Sequence, residues 1–298
     1  MIKKAIIPVA GLGTRMLPAT KVIPKEMLTV VDRPLIQYIV EEAVMAGIKQ
    51  IVFIDHHSKN SIGNHFDKCF ELETMLEKRA KRQLLEEIQN ICPHDVQIIH
   101  VTQDEQLGSA NAIMCAKQIL DNEPFAVLMP DILVNKYKAD NSKVNLAQMV
   151  KRFEDSNISQ VMVETVAHDH ICNFAIAEFG DNKIDSVDQK SITHFLHKPN
   201  PTQTQSQYSV VGRYVLSGQI WNLFKDTPIS SDGEYHLSET LNLLIKNSFT
   251  INAYEIQGAS INCGDKIGYA KAMVEYSIHS PETGKDFQQY LKKIVNRH

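Results

Sequence analysis

Tryptophan is nearly missing from this sequence, occurring once, and no apolar run reaches the ~18 residues that a membrane-spanning helix needs. Basic excess is missing too. Lys and Arg total 31 against 35 for Asp and Glu, a net charge of -4, which argues against nucleic acid or an anionic membrane surface as partner. Cysteine is sparse and scattered: Cys69, Cys92, Cys115, Cys172 and Cys263 form no CxxC pair, and an odd count suits reduced thiols in the cytoplasm. The opening MIKKAIIPVAGLG has a short apolar run with no cleavage-type tail, and reads as neither signal peptide nor membrane anchor. Internal repeats, low-complexity tracts beyond the Gln/Thr-rich turn KPNPTQTQSQ, and a clean interdomain linker are also lacking. What is present is 298 residues at 43% apolar and 22% charged, enough for one large α/β domain with a sizeable core.

The chain opens on a continuously apolar strand, residues 4–10, of the kind buried in a parallel sheet. A long polar loop follows, to about Lys25. LIQYIVEEAVMAG then places Ile36, Ile39, Val40 and Ala43 on one helical stripe, with Gly47 as the stop, and QIVFID supplies the next strand. From 70 to 91 the pattern predicts the longest helix, with Leu72, Met75, Leu76, Ala80, Leu84 and Ile88 along its apolar side. VQIIHV, FAVLMP and SQVMVETV read as further strands, and NLAQMVKRF as a helix. Beyond these, short strand-like runs (FAIAEF, ITHFLH, YSVVGRYVL, TINAYEI) alternate with turn-forming stretches such as GDNKIDS, pointing to a mixed, partly antiparallel extension. HLSETLNLLIKN and the final stretch of the chain read as helical. The expectation is a single domain over 1–298, with a first half at about 1–140 and an elaboration of it at about 141–298.

The strongest local signal is AGLGTRMLPATKVIPKEML, directly after the first strand. Gly11 and Gly13 permit tight turning and close backbone approach, and the N–H groups of such a loop can hold phosphate oxygens. Arg15, Lys21 and Lys25 add cations against one acid, Glu26. The third glycine of a dinucleotide fingerprint is missing, since position 16 is Met, and no Gly-Lys-Ser/Thr of a Walker loop follows. A polyphosphate is the natural ligand.

G-x-G-T-R followed by P-K resembles the signature of the sugar-1-phosphate nucleotidyltransferases, and the wider text is similar to the bacterial UTP–glucose-1-phosphate uridylyltransferase family. The likeness runs through PLIQY, SKNSIGNHFD, FELETMLEKR, SQVMVE, VGRYVLSGQIW and CGDKIGYA, and so spans nearly the whole chain. It implies an α/β fold with a Rossmann-like, mixed, mostly parallel sheet flanked by helices, the nucleotide-binding half at about 1–140 and the elaboration for sugar binding and oligomerisation at about 141–298. It also implies transfer of a nucleotidyl group from UTP to a hexose 1-phosphate with Mg²⁺, and a homo-oligomer, dimer or tetramer. Carried over residue by residue, Arg15 and Lys25 match the groups at the triphosphate, and Ala10, Gly11 and Gly13 the backbone around it. Gln103 matches the glutamine that reads the pyrimidine edge. Gly108 lies in LGSANA, which resembles a Leu-Gly-Thr/Ser-Ala-x-Ala version found elsewhere in the superfamily in place of Lys-Gly-Leu-Gly-His-Ala. Asp131 matches the metal-binding aspartate, and Lys198 the lysine at the sugar phosphate, which makes both part of the catalytic set.

Three positions depart from the family pattern. Ala175 stands where a glycine approaches the sugar, and His197 where a glutamate accepts from sugar hydroxyls. Asn262 stands at the second metal carboxylate, where an amide oxygen removes one full charge from a cation that prefers hard anions. Besides the UDP-glucose-forming enzyme, two readings therefore stand open: a weakened paralogue that regulates an active homologous subunit by hetero-oligomerising, and a nucleotidyltransferase for another sugar 1-phosphate. The Asp55-His56-His57 run and the cluster of His168, Asp169, His170 and Cys172 read as polar loops rather than metal sites. Trp221 and Cys263 read as core residues.

Overall fold

A computed structural model describes residues 2–57, 59–180 and 186–296. The first strand, β1 (Lys4–Pro8), is followed by three short 3-10 turns and a small hairpin, β2 (Thr29–Val30) with β3 (Arg33–Pro34). Then come α1 (Leu35–Met45), β4 (Gln50–Asp55), α2 (Asn60–Phe66), α3 (Phe70–Lys78), α4 (Arg82–Gln89) and β5 (Gln97–Thr102). The middle of the chain adds α5 (Ser109–Met114), α6 (Lys117–Leu120), β6 (Phe125–Leu128), β7 (Ile132–Val134), α7 (Leu146–Ser156) and β8 (Ser159–Thr165). The remainder is β9 (Ala175–Phe179), β10 (Ile192–His197), β11 (Tyr208–Leu216), α8 (Leu237–Lys246), β12 (Ile251–Glu255), β13 (Ser260–Asn262), α9 (Lys266–His279) and α10 (Gly284–Val295). The expected turn GDNKIDS lies largely outside the described residues.

One nine-stranded sheet runs in the order β10-β9-β11-β6-β1-β4-β5, with β8 paired to β11 and β12 to β8. Strands β6, β1, β4 and β5 are parallel, and β12 is parallel to β8. Only β10 and β11 run against the others in this sheet. The sheet is thus mixed but mostly parallel, with helices on both faces. The apolar continuity of β1 follows from this burial. Ala5 and Ile7 face a core shared with α1, α7 and α9, while Ile6 faces another with α5 and α8. Alternate side chains leave opposite faces of a strand, so only a doubly covered strand is apolar throughout. Trp221 is 1% exposed in the second core, as the sequence suggests.

Two boundaries differ from the sequence expectation. The first strand ends at Pro8 instead of 10, although Val9 still donates to Ile54 O at 2.7 Å. The single helix expected over 70–91 is two helices. Ala80 sits in the left-handed region at φ 53, Ala80 N donates to Glu77 O, and Lys81 N donates to Leu76 O. That pair of bonds is a Schellman stop, in a position glycine usually fills. The chain then doubles back, and Gln89 reaches Glu73 at 3.0 Å. The apolar period persists across the break, so periodicity alone could not show it. Among the described residues no helix is long and apolar enough to cross a membrane.

Candidate active site

Every sequence-selected site residue except Ala175, which begins β9, lies in a loop, in a short 3-10 turn (Arg15 and Lys25) or at the last residue of a strand, and the glycine loop and Gln103 follow the C-terminal ends of parallel strands. That is the usual ligand edge of open α/β sheets. The glycine loop leaves β1 through Ala10 and Gly11. Gly13 has φ 67, and a Cβ there would lie 3.1 Å from Lys25 Cβ and 3.3 Å from Thr20 Cγ2. The Thr20 hydroxyl donates to Gly13 O at 2.7 Å.

A lysine that sequence reasoning missed holds this loop from beneath. Lys59 is 6% exposed, and its ammonium donates to the carbonyls of Val9 and Gly11 and to Glu26 Oε2, the last at 2.9 Å. Using the carbonyls on the inner side leaves the loop's N–H groups for a ligand. Burial lowers the Lys59 pKa and raises that of Glu26, while their mutual attraction opposes both shifts. A single lysine between a strand and a helix offers no sequence signal for this role. Gln106, also missed, donates to Ala10 O at 2.8 Å and ties the loop to the segment after β5.

Lys25 and Asp131 form an ion pair at 3.0 Å, both side chains partly shielded from water. Burial works against charging Lys25, but Asp131 and Glu26 outweigh it and its pKa rises. Burial likewise works against the Asp131 carboxylate, but Lys25 outweighs it and its pKa falls below the ordinary carboxylate value. Arg15 is exposed and close enough to act electrostatically on both.

Pairing of β7 with β13 sets Asn262 opposite Ile132, which brings it beside Asp131 despite the distance in sequence. A Cβ on Gly264 would lie 2.9 Å from Asp131 Oδ2 and 3.0 Å from Asn262 Oδ1, so both oxygens converge over a glycine. Asn262 Oδ1 accepts from Gly264 N at 2.9 Å, and Asp131 O accepts from Cys263 N at 2.7 Å. The loop carrying Asp131 is anchored by Arg213, a fully buried residue that the sequence pattern alone does not single out. Its guanidinium forks onto Glu42 at 2.8 and 2.9 Å and donates to Met129 O and Ile132 O on either side of Asp131. A charge inside the apolar strand YSVVGRYVL was the available signal.

Gln103 is 3% exposed, and its amide nitrogen donates to Asn111 Oδ1 at 2.7 Å, which fixes the amide and leaves a second N–H. Gly108 has φ 97, and a Cβ there would lie 2.6 Å from Tyr235 O. Tyr235 N donates to Leu107 O and Ala110 N to Tyr235 O, so the loop after β5 is knitted to the lead-in of α8.

Ala175 and His197 are cross-strand partners on β9 and β10. His197 Nε2 is buried without a hydrogen-bond partner. Burial, then the neighbouring His236 and Lys198, push the His197 pKa down to about 4, so its ring is neutral at physiological pH. Lys198 is exposed at φ 45, and its N–H donates to Phe174 O at 2.9 Å. Phe174 lines a groove of about 930 Å³ together with Arg15, Asn262, Asp265 and Lys271, so the Ala175–Lys198 end borders the Arg15–Asn262 end. Cys263 is 1% exposed and burial pushes its thiol up to about 12, an unreactive core residue. His168–Asn173 is a 3-10 turn in which His168 bonds Thr204 O, and among the described residues it joins no group of three ligating side chains.

A mostly parallel sheet with a cation-bearing glycine loop after its first strand, facing a lysine–aspartate pair, defines an α/β protein built to hold phosphorylated nucleotides. The chain belongs to the nucleotidyl transferase family, whose model matches residues 4–259. It is 48% identical to the UTP–glucose-1-phosphate uridylyltransferase of Haemophilus influenzae, over 98% of this chain and 99% of that one. Its structure resembles a UDP-glucose pyrophosphorylase from Acinetobacter baumannii, with a TM-score of 0.90, 42% identity and coverage of 99% and 100% of the two chains. A UTP-bound form from the same organism gives 0.89, at 42% identity and 98% and 99% coverage.

Proposed function

We propose that this protein joins UTP to glucose 1-phosphate, releasing pyrophosphate and forming UDP-glucose. The observation that carries the proposal is the convergence of Lys25, Asp131 and Arg15 beside the glycine loop, in a chain nearly half identical over its whole length to a relative bearing that name. An oxygen of the sugar phosphate attacks the α-phosphorus, and the bond to the bridging oxygen of pyrophosphate breaks. No protein nucleophile is needed, so the work is positioning and charge compensation. Arg15 and Lys25 offset the triphosphate charge, and the backbone of Ala10, Gly11 and Gly13 cradles it. Gln103 and Gly108 receive the base. Lys198 meets the sugar phosphate, and Ala175 and His197 face the hexose.

Asp131 and Asn262 are the residues that would hold Mg²⁺. One carboxylate and one amide oxygen converging on a glycine fit an ion that keeps several waters and binds substrate phosphates. When bound, it supplies charge neutralisation along the polyphosphate. Asp131 is ionised for this role because Lys25 lowers its pKa, and Lys25 stays charged because Asp131 faces it. The same proposal sets the protein in the cytoplasm, as a homo-oligomer serving polysaccharide precursor synthesis.

The test is pyrophosphate release from UTP and glucose 1-phosphate in the presence of Mg²⁺. Absence of product at high enzyme concentration would refute the proposal. One observation favours a second reading, a weakened paralogue that regulates an active homologous subunit. Asn262 Oδ1 carries no formal charge and already accepts from Gly264 N. If the Asn262→Asp, His197→Glu double variant gains large activity on glucose 1-phosphate, the ancestral site has decayed; if it gains nothing, that reading fails.

A further inference from the structure

A second set of ligating side chains gathers at the end of β10, beside Lys198. His197 ends β10 and His236 precedes α8, and their rings stack with centroids 3.7 Å apart and planes 13° apart. Asp232 lies four residues before His236, with carboxylate oxygens 2.8 and 3.1 Å from His236 Nε2. One ligand atom from each of the three lies within 4.8 Å of the others, the only such His/Cys/Asp/Glu group among the described residues.

Two independent features separate this group from a chance meeting. His197 Nε2 is buried and has no hydrogen-bond partner, which leaves a lone pair or an N–H unsatisfied where desolvation is already complete. His236 is 7% exposed and its Nε2 already faces the Asp232 carboxylate at 2.8 Å, so two of the three ligand atoms are adjacent before any ion arrives. Of the charged groups nearby, Lys198 opposes a cation and Asp232 favours one.

We propose that His197, Asp232 and His236 form a binding site for a divalent cation of the zinc class. Two imidazoles and one carboxylate suit such an ion, with a water or a substrate oxygen as the fourth ligand. They do not suit Mg²⁺, which takes oxygen ligands, so this site is chemically separate from Asp131 and Asn262. Ligand atoms around a tetrahedral zinc sit roughly 3.3 Å apart at bond lengths of about 2.0–2.1 Å. The separations here, from 2.8 Å to no more than 4.8 Å, bracket that value, and the His197 ring must turn out of its stack to complete the set. The ion would clasp the end of β10 to the loop before α8, next to Lys198. Occupancy would then hinder entry of the sugar phosphate, a consequence that rests on the proposed function, whereas binding itself does not.

The experiment uses untagged, chelator-stripped, full-length protein titrated with Zn²⁺ against a chromophoric chelator, with Co²⁺ as a spectroscopic probe. One ion per chain, visible four-coordinate Co²⁺ bands and a raised melting temperature are expected. His197→Ala, His236→Ala and Asp232→Asn should each weaken binding at least tenfold. Asp232 is exposed, so its variant tests the site without threatening the fold. No stoichiometric ion, or wild-type affinity in all three variants, overturns the proposal. With UTP and Mg²⁺ saturating, one equivalent of zinc should raise the KM for glucose 1-phosphate in the wild type but not in Asp232→Asn. An unchanged KM overturns the hindrance. A protein that binds zinc but does not use glucose 1-phosphate refutes the proposed function and leaves the metal site standing.

Discussion

At the scale of single residues, charge compensation and burial govern this site. Removing the Lys25 ammonium leaves Asp131 unpaired and the triphosphate less neutralised. Lys25→Met should lower kcat/KM for UTP by roughly 10²–10³-fold, the usual cost of one electrostatic contact in a preorganised site, as measured by pyrophosphate release. Lys59 differs, because its partners are internal. Lys59→Met strands the Glu26 side chain, which is fully shielded from solvent, and should cost about 3–5 kcal/mol of stability in urea unfolding, the toll of breaking a buried pair. The UTP KM should rise with it, because the Val9 and Gly11 carbonyls lose their donor. Thiol chemistry follows exposure in the same way. A maleimide should label Cys69 and Cys172 in the native protein and spare Cys263 until unfolding, read by mass spectrometry.

At the scale of elements, the α3–α4 junction is the clearest departure from pattern. Ala80 occupies the left-handed region, which costs an L-residue roughly 1–2 kcal/mol relative to right-handed backbone. Ala80→Gly should therefore raise stability by about 1 kcal/mol in chemical denaturation, despite the greater freedom glycine gives the unfolded chain. A fall in stability would show that α3 and α4 tend to fuse into one helix and that Ala80 is no stop. The loop after β5 shows the opposite case: Gly108 is glycine because Tyr235 backbone fills the space a Cβ would take.

For the molecule as a whole, Arg213 matters more than any surface charge. It links β11, α1 and the segment from Met129 to Ile132, so the sheet centre and the Asp131 loop share one buried guanidinium. Arg213→Met should destabilise the protein by about 3–5 kcal/mol by leaving Glu42 buried and unpaired. It should also reduce turnover beyond what unfolding explains, tested by activity at a temperature where the variant is fully folded. Turnover per folded molecule equal to wild type would show that Arg213 holds the fold and does not position Asp131.

Local motifs are legible along the chain: the glycine loop after a buried strand, the cations Arg15 and Lys25, and strands whose continuous apolar character demands cover on both faces. These are legible because phosphate binding and double burial are imposed on neighbouring residues. Tertiary structure decided which distant groups meet. Asp131 and Asn262 converge because β7 pairs with β13, and Lys59 reaches the glycine loop through space rather than along the chain. His197, Asp232 and His236 share no spacing that a linear pattern could flag, since two of them sit before α8 and one ends β10. Ala80 hid in a helical period because amphipathicity records which face is apolar and is silent about where the backbone reverses.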